Sequence, residues 1–140
     1  MNKTAKYQIT VNASTENLAE VRDFVALHAK RQGFTLEQIS DLQLAVDEAY
    51  TNIIKHAYHN NKNKHVDITL TFDSDKLCIS LFDSGNSFSP KNYNLPDIQK
   101  KIEERKRGGM GVYLIHRLMD SVSYHARADK NEIRLCKNRN

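Results

Sequence analysis

The sequence predicts a two-layer α/β sandwich, in which helices cover one face of a mixed, mostly antiparallel sheet. Three observations support this fold class: short runs with strand-like alternation, longer runs with helical periodicity, and one charged, proline-containing segment between them. Together they give the order β-α-α-β-β-loop-α-β-β. A chain of 140 residues with 39% hydrophobic content suits one globular domain, so residues 1–140 are expected to form a single domain.

The composition narrows the class of protein. A net charge of +4 suits anionic ligands or acidic partner surfaces but is too small to indicate direct nucleic-acid binding. No apolar run has the length of a signal peptide or of a membrane span, so a cytoplasmic protein without membrane contact is expected. Cys78 and Cys136 each lie in a strand-like run, and we expect two buried thiols rather than a metal pair or a disulfide.

The first strand and helix occupy the N-terminal part of the chain. Residues 6–11 alternate as a strand does, and Ser14 is a suitable N-cap for a helix running to about Gln32. Gly33 is predicted to end this helix in the left-handed conformation. The apolar spacing predicts its buried face: Leu18, Val21, Val25 and Ala29.

A second helix begins with a strong start signal. Thr35 and Gln38 have the spacing of a capping box, and Phe34 and Ile39 are placed to form a hydrophobic staple. The helix is predicted to continue to His59, where an asparagine-rich turn follows. Its predicted buried stripe is Leu42, Val46, Ala49 and Ile53.

A row of polar residues lies beside that stripe. At roughly 100° per residue, Glu48, Asn52 and Lys55 fall near one line on the helix. An amide oxygen suits Mg²⁺, an ammonium suits a phosphate, and a carboxylate can serve as general base towards a hydroxyl. Surface helices also carry such charges without any ligand, so the row alone leaves both interpretations open. His56 and His59 have no evident third ligand and are interpreted as exposed histidines.

Strand-like and helical runs continue to the C-terminus. Residues 66–72 and 77–82 are predicted to form a hairpin, and the closing strands are expected at residues 121–126 and 132–136. Between the two pairs, the charge-rich segment 88–107 resembles a flap with at most one short helix. A further helix is predicted from Val112 to Met119.

A glycine cluster precedes that helix. Gly108, Gly109 and Gly111 flank Met110, and free amides at a helix N-terminus attract phosphate. The chain has no Walker-type or Rossmann-type phosphate motif. A loop that needs positive φ is the alternative interpretation. Arg107 favours phosphate binding because a guanidinium contacts phosphoryl oxygens bidentately.

Asp83 and Gly85 stand where the second strand of the hairpin ends. A carboxylate there can point into the gap between sheet and helices and accept a hydrogen bond from an exocyclic amine such as that of adenine. The alternative is an ordinary turn, because Asp, Ser, Gly and Asn are common turn residues.

In order and spacing, these three motifs resemble the N box and the two glycine boxes of the histidine-kinase-like ATPase (Bergerat or GHKL) superfamily: Glu48-x-x-x-Asn52-x-x-Lys55-His56, Asp83-x-Gly85 and Gly109-x-Gly111. Within it, the runs EAYTNIIKHAY, FDSGNSFSP and RGGMGVYLIHRLMDSVSY are similar to the serine-kinase anti-sigma factors of bacteria. Two positions depart from the wider pattern. Ser87 replaces the second glycine of the first glycine box, and Asn131-Glu132 stands where many members have Gly-Thr.

The resemblance implies the Bergerat ATP-binding fold, with ATP and Mg²⁺ as cofactors. It implies that Asn52 binds the magnesium ion, that Asp83 reads the adenine amine, and that Gly85 allows the nucleotide to approach closely. The phosphates are expected near Lys55 and along the second glycine box: Gly109, Met110 and Gly111.

Two catalytic residues follow from the same resemblance. Glu48 is implied as the base that takes the proton of the substrate hydroxyl, and Arg107 as a contact of the γ-phosphate. The implied function is an ATP-dependent serine/threonine protein kinase that phosphorylates an anti-sigma-factor antagonist. The protein would also bind an RNA polymerase sigma factor and form a homodimer.

Three other functions stay open at this point. The first is a nucleotide-regulated protein-binding module of the same fold without kinase activity. The others are an ATP-hydrolysing conformational machine and a plain α/β interaction domain without nucleotide.

Overall fold

The computed structural model describes residues 4–84, 110–126 and 129–139. A 3₁₀ turn spans Thr15–Asn17, and a π-helical turn spans Ile53–Ala57. The strands are β1 (Ala5–Asn12), β2 (His65–Phe72), β3 (Lys76–Asp83), β4 (Ser121–Ala126) and β5 (Asn131–Asn138). The helices are α1 (Leu18–Arg31), α2 (Leu36–Asn52) and α3 (Met110–Leu118).

Within the described residues, the predicted order of strands and helices is confirmed, as is the antiparallel pairing of β2 with β3 and of β4 with β5. The predicted flap, residues 88–107, falls outside the part of the chain that the structure describes. The third helix starts at Met110 rather than at Val112.

The five described strands form one sheet in the order β1-β2-β3-β5-β4, and each of their four pairings is antiparallel. The last strand therefore lies beside β3 and not at an edge. Because β3 and β5 run side by side, Asp83 lies directly opposite Asn131. Residues that are far apart in sequence thus meet at the end of β3.

The core lies between this sheet and the helices, which confirms the two-layer sandwich. The predicted stripe of α2 is buried, and α2 packs against both α1 and α3. Alternate residues of β3 are fully buried in the same core: Leu77, Ile79 and Leu81. Burying each such side chain contributes roughly 1.5–3 kcal/mol, so this packing fixes α2 on the sheet.

The ends of the helices follow the predicted signals closely. Gln38 N–H donates to Thr35 Oγ1 at 3.1 Å, and Thr35 N–H donates to Gln38 Oε1 at 2.9 Å, which completes the capping box. Gly33 has a φ of +87°, in the left-handed region. Ser14 accepts a hydrogen bond from Glu16 N–H at 3.1 Å, but it caps the 3₁₀ turn, so α1 begins four residues later, at Leu18.

The expectation of two reduced thiols is wrong. Cys78 and Cys136 form a disulfide between β3 and β5, with their Cα atoms 4.1 Å apart. The two cysteines are 58 residues apart in sequence, and only the β3–β5 register places them opposite each other. The disulfide joins the same two strands whose other ends carry Asp83 and Asn131.

Candidate active site

The polar row predicted on the second helix spans two kinds of helix. Glu48 and Asn52 are half-buried at the end of α2, one turn apart. Lys55 is exposed and lies in the π-helical turn, where Tyr58 N–H donates to Ile53 O at 2.9 Å. The rotation of about 100° per residue that an α-helix has therefore applies between Glu48 and Asn52. It does not apply between Asn52 and Lys55, which lies in the π-helical turn.

The prediction of a regular helix to His59 is accordingly too long. The α-helix ends at Asn52, and the chain leaves the π-helical turn through two residues in the left-handed region, His59 (φ 50°) and Asn60 (φ 63°). Single-turn π segments inside or at the end of α-helices occur frequently at functional sites. Here the π-helical turn directly follows Asn52, the predicted magnesium ligand.

Asp83 is a buried carboxylate and belongs to β3 rather than to a turn. Its exposed fraction is 4%, and that of its cross-strand neighbour Asn131 is 7%. Asn131 Nδ2 donates a hydrogen bond to Asp83 Oδ1 at 3.1 Å. A hydrogen bond to a charged group contributes about 1.5–3 kcal/mol when buried, so Asn131 fixes the orientation of the carboxylate.

Tyr58 links the end of α2 to the end of β3. Its side chain is 4% exposed, and its hydroxyl donates to His65 O at 2.7 Å. The same oxygen accepts a hydrogen bond from Ser84 N–H at 2.8 Å. Ser84 is the residue after Asp83, so one phenol joins the segment after Asn52 to the segment after Asp83.

The described residues bring part of the predicted site together. The ends of α2 and β3, with Asn52 and Asp83, are joined through Tyr58. Gly85, Arg107 and Gly109 lie outside the described residues. Met110 and Gly111 are the first two residues of α3, and the phosphate contact predicted for them stays a prediction.

The donor set suits a magnesium ion that is bound mainly by the nucleotide. Mg²⁺ usually takes one or two protein oxygens and completes its octahedron with phosphate oxygens and water. Asn52 offers a half-buried amide oxygen, which fits that pattern. In residues 4–84, 110–126 and 129–139, no cluster of three or more His, Cys, Asp or Glu side chains is placed to hold a metal ion.

Two residues of this site were not predicted as part of it. Asn131 was noted only as a departure from the superfamily's Gly-Thr, and nothing in the spacing links it to Asp83, 48 residues away. Tyr58 lies outside the predicted N box but is the last residue of the run EAYTNIIKHAY, whose similarity to the serine-kinase anti-sigma factors is the one signal that pointed to it. The hydrogen bonds of both residues depend on the strand register, and local sequence patterns do not reveal that register.

Comparisons with known proteins agree with the fold described above. The profile of the histidine kinase-like ATPase domain family matches residues 11–137. A curated relative from Bacillus cereus, named serine-protein kinase RsbW, is 35% identical over 128 residues, which cover 87% of this chain and 78% of the relative. The protein of that name from Bacillus mycoides is 34% identical over 128 residues, with the same coverage.

Two solved structures share the fold. One contains the RsbU and RsbW domains of a Mycobacterium tuberculosis protein, with a TM-score of 0.68 and 15% identity over 95% of this chain and 32% of that one. The other is the SiaB–SiaC complex of Pseudomonas aeruginosa, with a TM-score of 0.69 and 13% identity over 93% of this chain and 88% of the matched chain. Within the described residues, no helix combines the length and apolarity needed to cross a lipid bilayer.

Proposed function

Because this chain belongs to the histidine kinase-like ATPase family, we propose that it binds ATP with Mg²⁺ and phosphorylates a serine or threonine of a partner protein. Its relatives are named serine-protein kinases at about one-third identity, over most of both chains. The observation in this chain that carries the proposal is the buried carboxylate of Asp83, held by Asn131 at the end of β3. An exocyclic amine such as that of adenine is a suitable hydrogen-bond donor to a carboxylate oxygen at this position.

Each residue of the proposed site has a separate role in phosphoryl transfer. Asp83 accepts the hydrogen bond of the adenine amine, and Asn52 supplies the magnesium ligand. Lys55 contacts a phosphate. Glu48 takes the proton as the substrate oxygen attacks the γ-phosphorus, the bond to the β-phosphate oxygen breaks and ADP leaves. A bound magnesium ion would neutralise charge on the phosphate oxygens.

The remaining assignments concern residues around the second glycine box. We assign Gly85 to close approach of the nucleotide and Arg107 to the γ-phosphate. Gly109, Met110 and Gly111 are assigned to the phosphates, where amides at the start of α3 support anion binding. Positioning and electrostatics dominate such reactions, so the protein's main contribution is to hold these groups in place.

The partners are proposed from the relatives. RsbW is named a serine-protein kinase, and SiaB is found in a complex with SiaC. We infer that the phosphorylated partner of this chain is an anti-sigma-factor antagonist and that an RNA polymerase sigma factor binds the same protein. We further propose a homodimer, which analytical ultracentrifugation of the purified chain would test.

The test of the function uses Glu48→Gln, with Glu37→Gln at the exposed start of the same helix as the matched control. Both proteins are incubated with radiolabelled Mg-ATP and a candidate antagonist. Glu48→Gln should bind ATP normally but transfer phosphate at least about a hundredfold more slowly, since general bases contribute roughly 10²–10⁴-fold. Transfer at the wild-type rate would remove Glu48 as the base.

A second measurement tests the nucleotide itself. Asp83→Asn exchanges a carboxylate oxygen for an amide and should weaken ATP binding at least about tenfold, because a charge-assisted hydrogen bond is lost. The wild-type protein should prefer ATP to GTP for the same reason. Nucleotide binding without any phosphoprotein would favour the alternative, a nucleotide-regulated protein-binding module.

A further inference from the structure

The hydroxyl of Tyr58, a residue of the segment after α2, contacts the segment after β3. It is buried and donates to His65 O at 2.7 Å while accepting from Ser84 N–H at 2.8 Å. Ser84 follows the carboxylate assigned to adenine, and Tyr58 lies in the turn that follows the assigned magnesium ligand. The hydroxyl thus connects the two ends of the proposed nucleotide site.

We propose that Tyr58 is a positioning residue that sets the separation between the adenine-binding end, at Asp83, and the phosphate-binding end, at Asn52. The inference rests on the proposed function. ATP must reach both ends at once, and a fixed separation avoids the cost of ordering them during binding. A ligand that touches only one end gains nothing from that separation.

Asp83 itself does not depend on Tyr58 for its orientation. Its carboxylate is held from β5, by Asn131 Nδ2 at 3.1 Å. Tyr58 instead holds the next peptide, through Ser84 N–H. Loss of the Tyr58 hydroxyl should therefore leave the orientation of the Asp83 carboxylate unchanged. The distance between the adenine-binding end and α2 would then no longer be fixed.

The chain offers a matched control in Tyr50. This tyrosine lies in α2 and is also buried, and its hydroxyl also donates to the backbone, with Asn12 O and Ser14 O each at 2.7 Å. Those contacts lie at the connection between β1 and α1 and not at the end of β3. Tyr50→Phe and Tyr58→Phe hence each remove one buried tyrosine hydroxyl, from α2 and from the end of the turn that follows it, with comparable loss of buried hydrogen bonds.

The experiment measures dissociation constants of Mg-ATP and of adenosine for the wild type and both variants, with a thermal melt of each protein. Tyr58→Phe should weaken Mg-ATP binding about tenfold and change adenosine binding less than about twofold. Tyr50→Phe should lower the melting temperature to a similar extent and leave both affinities within about twofold. A general loss of stability would not produce this difference between the affinities for Mg-ATP and for adenosine.

Three results would overturn the inference: unchanged Mg-ATP affinity in Tyr58→Phe, an equal loss for adenosine, or an equal loss in Tyr50→Phe. If the wild type itself binds no Mg-ATP, the proposed function fails. If the wild type binds Mg-ATP and one of these three results is found, only the proposed role of Tyr58 fails. Amide hydrogen exchange of the wild type gives a test that needs no variant. Ser84 N–H should exchange slowly and more slowly still with Mg-ATP, whereas an unprotected Ser84 amide would contradict the role of Tyr58.

Discussion

Asn131→Asp places a second carboxylate opposite Asp83 and tests how closely the two side chains meet. In the wild type, Asn131 Nδ2 lies 3.1 Å from Asp83 Oδ1, and both residues are more than 90% buried. The variant replaces this donor with an oxygen of like charge. At 3.1 Å and an effective dielectric constant of about 20, two such charges repel by about 5 kcal/mol.

A shared proton limits that repulsion and makes it depend on pH. Two carboxyls at this distance do not both ionise readily, so the upper pKa of the pair rises above the usual carboxyl range of about 4. The folded variant then keeps one proton that the unfolded chain has released. Its stability is greatest in acid and falls by about 1.4 kcal/mol per pH unit until the upper pKa is reached.

The assay is urea unfolding, followed by circular dichroism at pH 5, 6 and 7. Relative to the wild type, Asn131→Asp should lose up to about 3 kcal/mol more at pH 7 than at pH 5. Asn131→Ala, which removes the donor without adding a charge, should show a smaller change with pH. Asn63→Asp makes the same exchange in an exposed turn and should show almost none. If the deficit of Asn131→Asp is constant from pH 5 to 7, Asp83 and Asn131 are not in the contact described, and the reasoning fails.

Three further predictions concern the scaffold around the site. Burial lowers the pKa of His116, so the unfolded chain takes up a proton first and stability should fall as pH decreases below about 6.5. His116→Phe should reduce that loss of stability between pH 7.5 and 5.5 in unfolding experiments, and an unchanged loss would contradict the burial of this imidazole. Thr35→Ala removes the oxygen that accepts Gln38 N–H and should cost about 1 kcal/mol in urea unfolding; a loss below about 0.3 kcal/mol would show that the cap is not formed. Reducing the Cys78–Cys136 disulfide, whose cysteines lie 58 residues apart, should cost about 4 kcal/mol by chain entropy, and a thiol titration that finds two free thiols before reductant is added would contradict it.

The sequence predicted the elements well wherever a local signal specifies them. The capping box at Thr35, the left-handed Gly33 and the buried stripe of α2 each depend on residues within a few positions of one another, and each was confirmed. Period-two alternation likewise predicted the strands, because one face of the sheet is buried against the helices and the other is not.

What the sequence did not show is which strands are neighbours. The register of β5 against β3 pairs Asp83 with Asn131 and Cys78 with Cys136, and both pairs span about 50 residues or more. The disulfide was therefore missed, and Asn131 was not assigned to the site. The π-helical turn after Asn52 was missed for a different reason, since its sequence still has the apolar spacing of an α-helix.

The position of the proposed site follows from the dual role of α2. One stripe of this helix is buried against the sheet, and the adjoining edge presents Glu48 and Asn52, so the packing that stabilises the fold also fixes the polar row. Asp83 is fixed independently, through β3 and its neighbour β5. Two rigid but separate supports give a defined site only if they are joined. Tyr58 lies beyond the end of α2, and its hydroxyl accepts from Ser84 N–H beyond the end of β3, so the two ends of the proposed nucleotide site are linked. We expect this link to favour binding of a molecule that spans both ends.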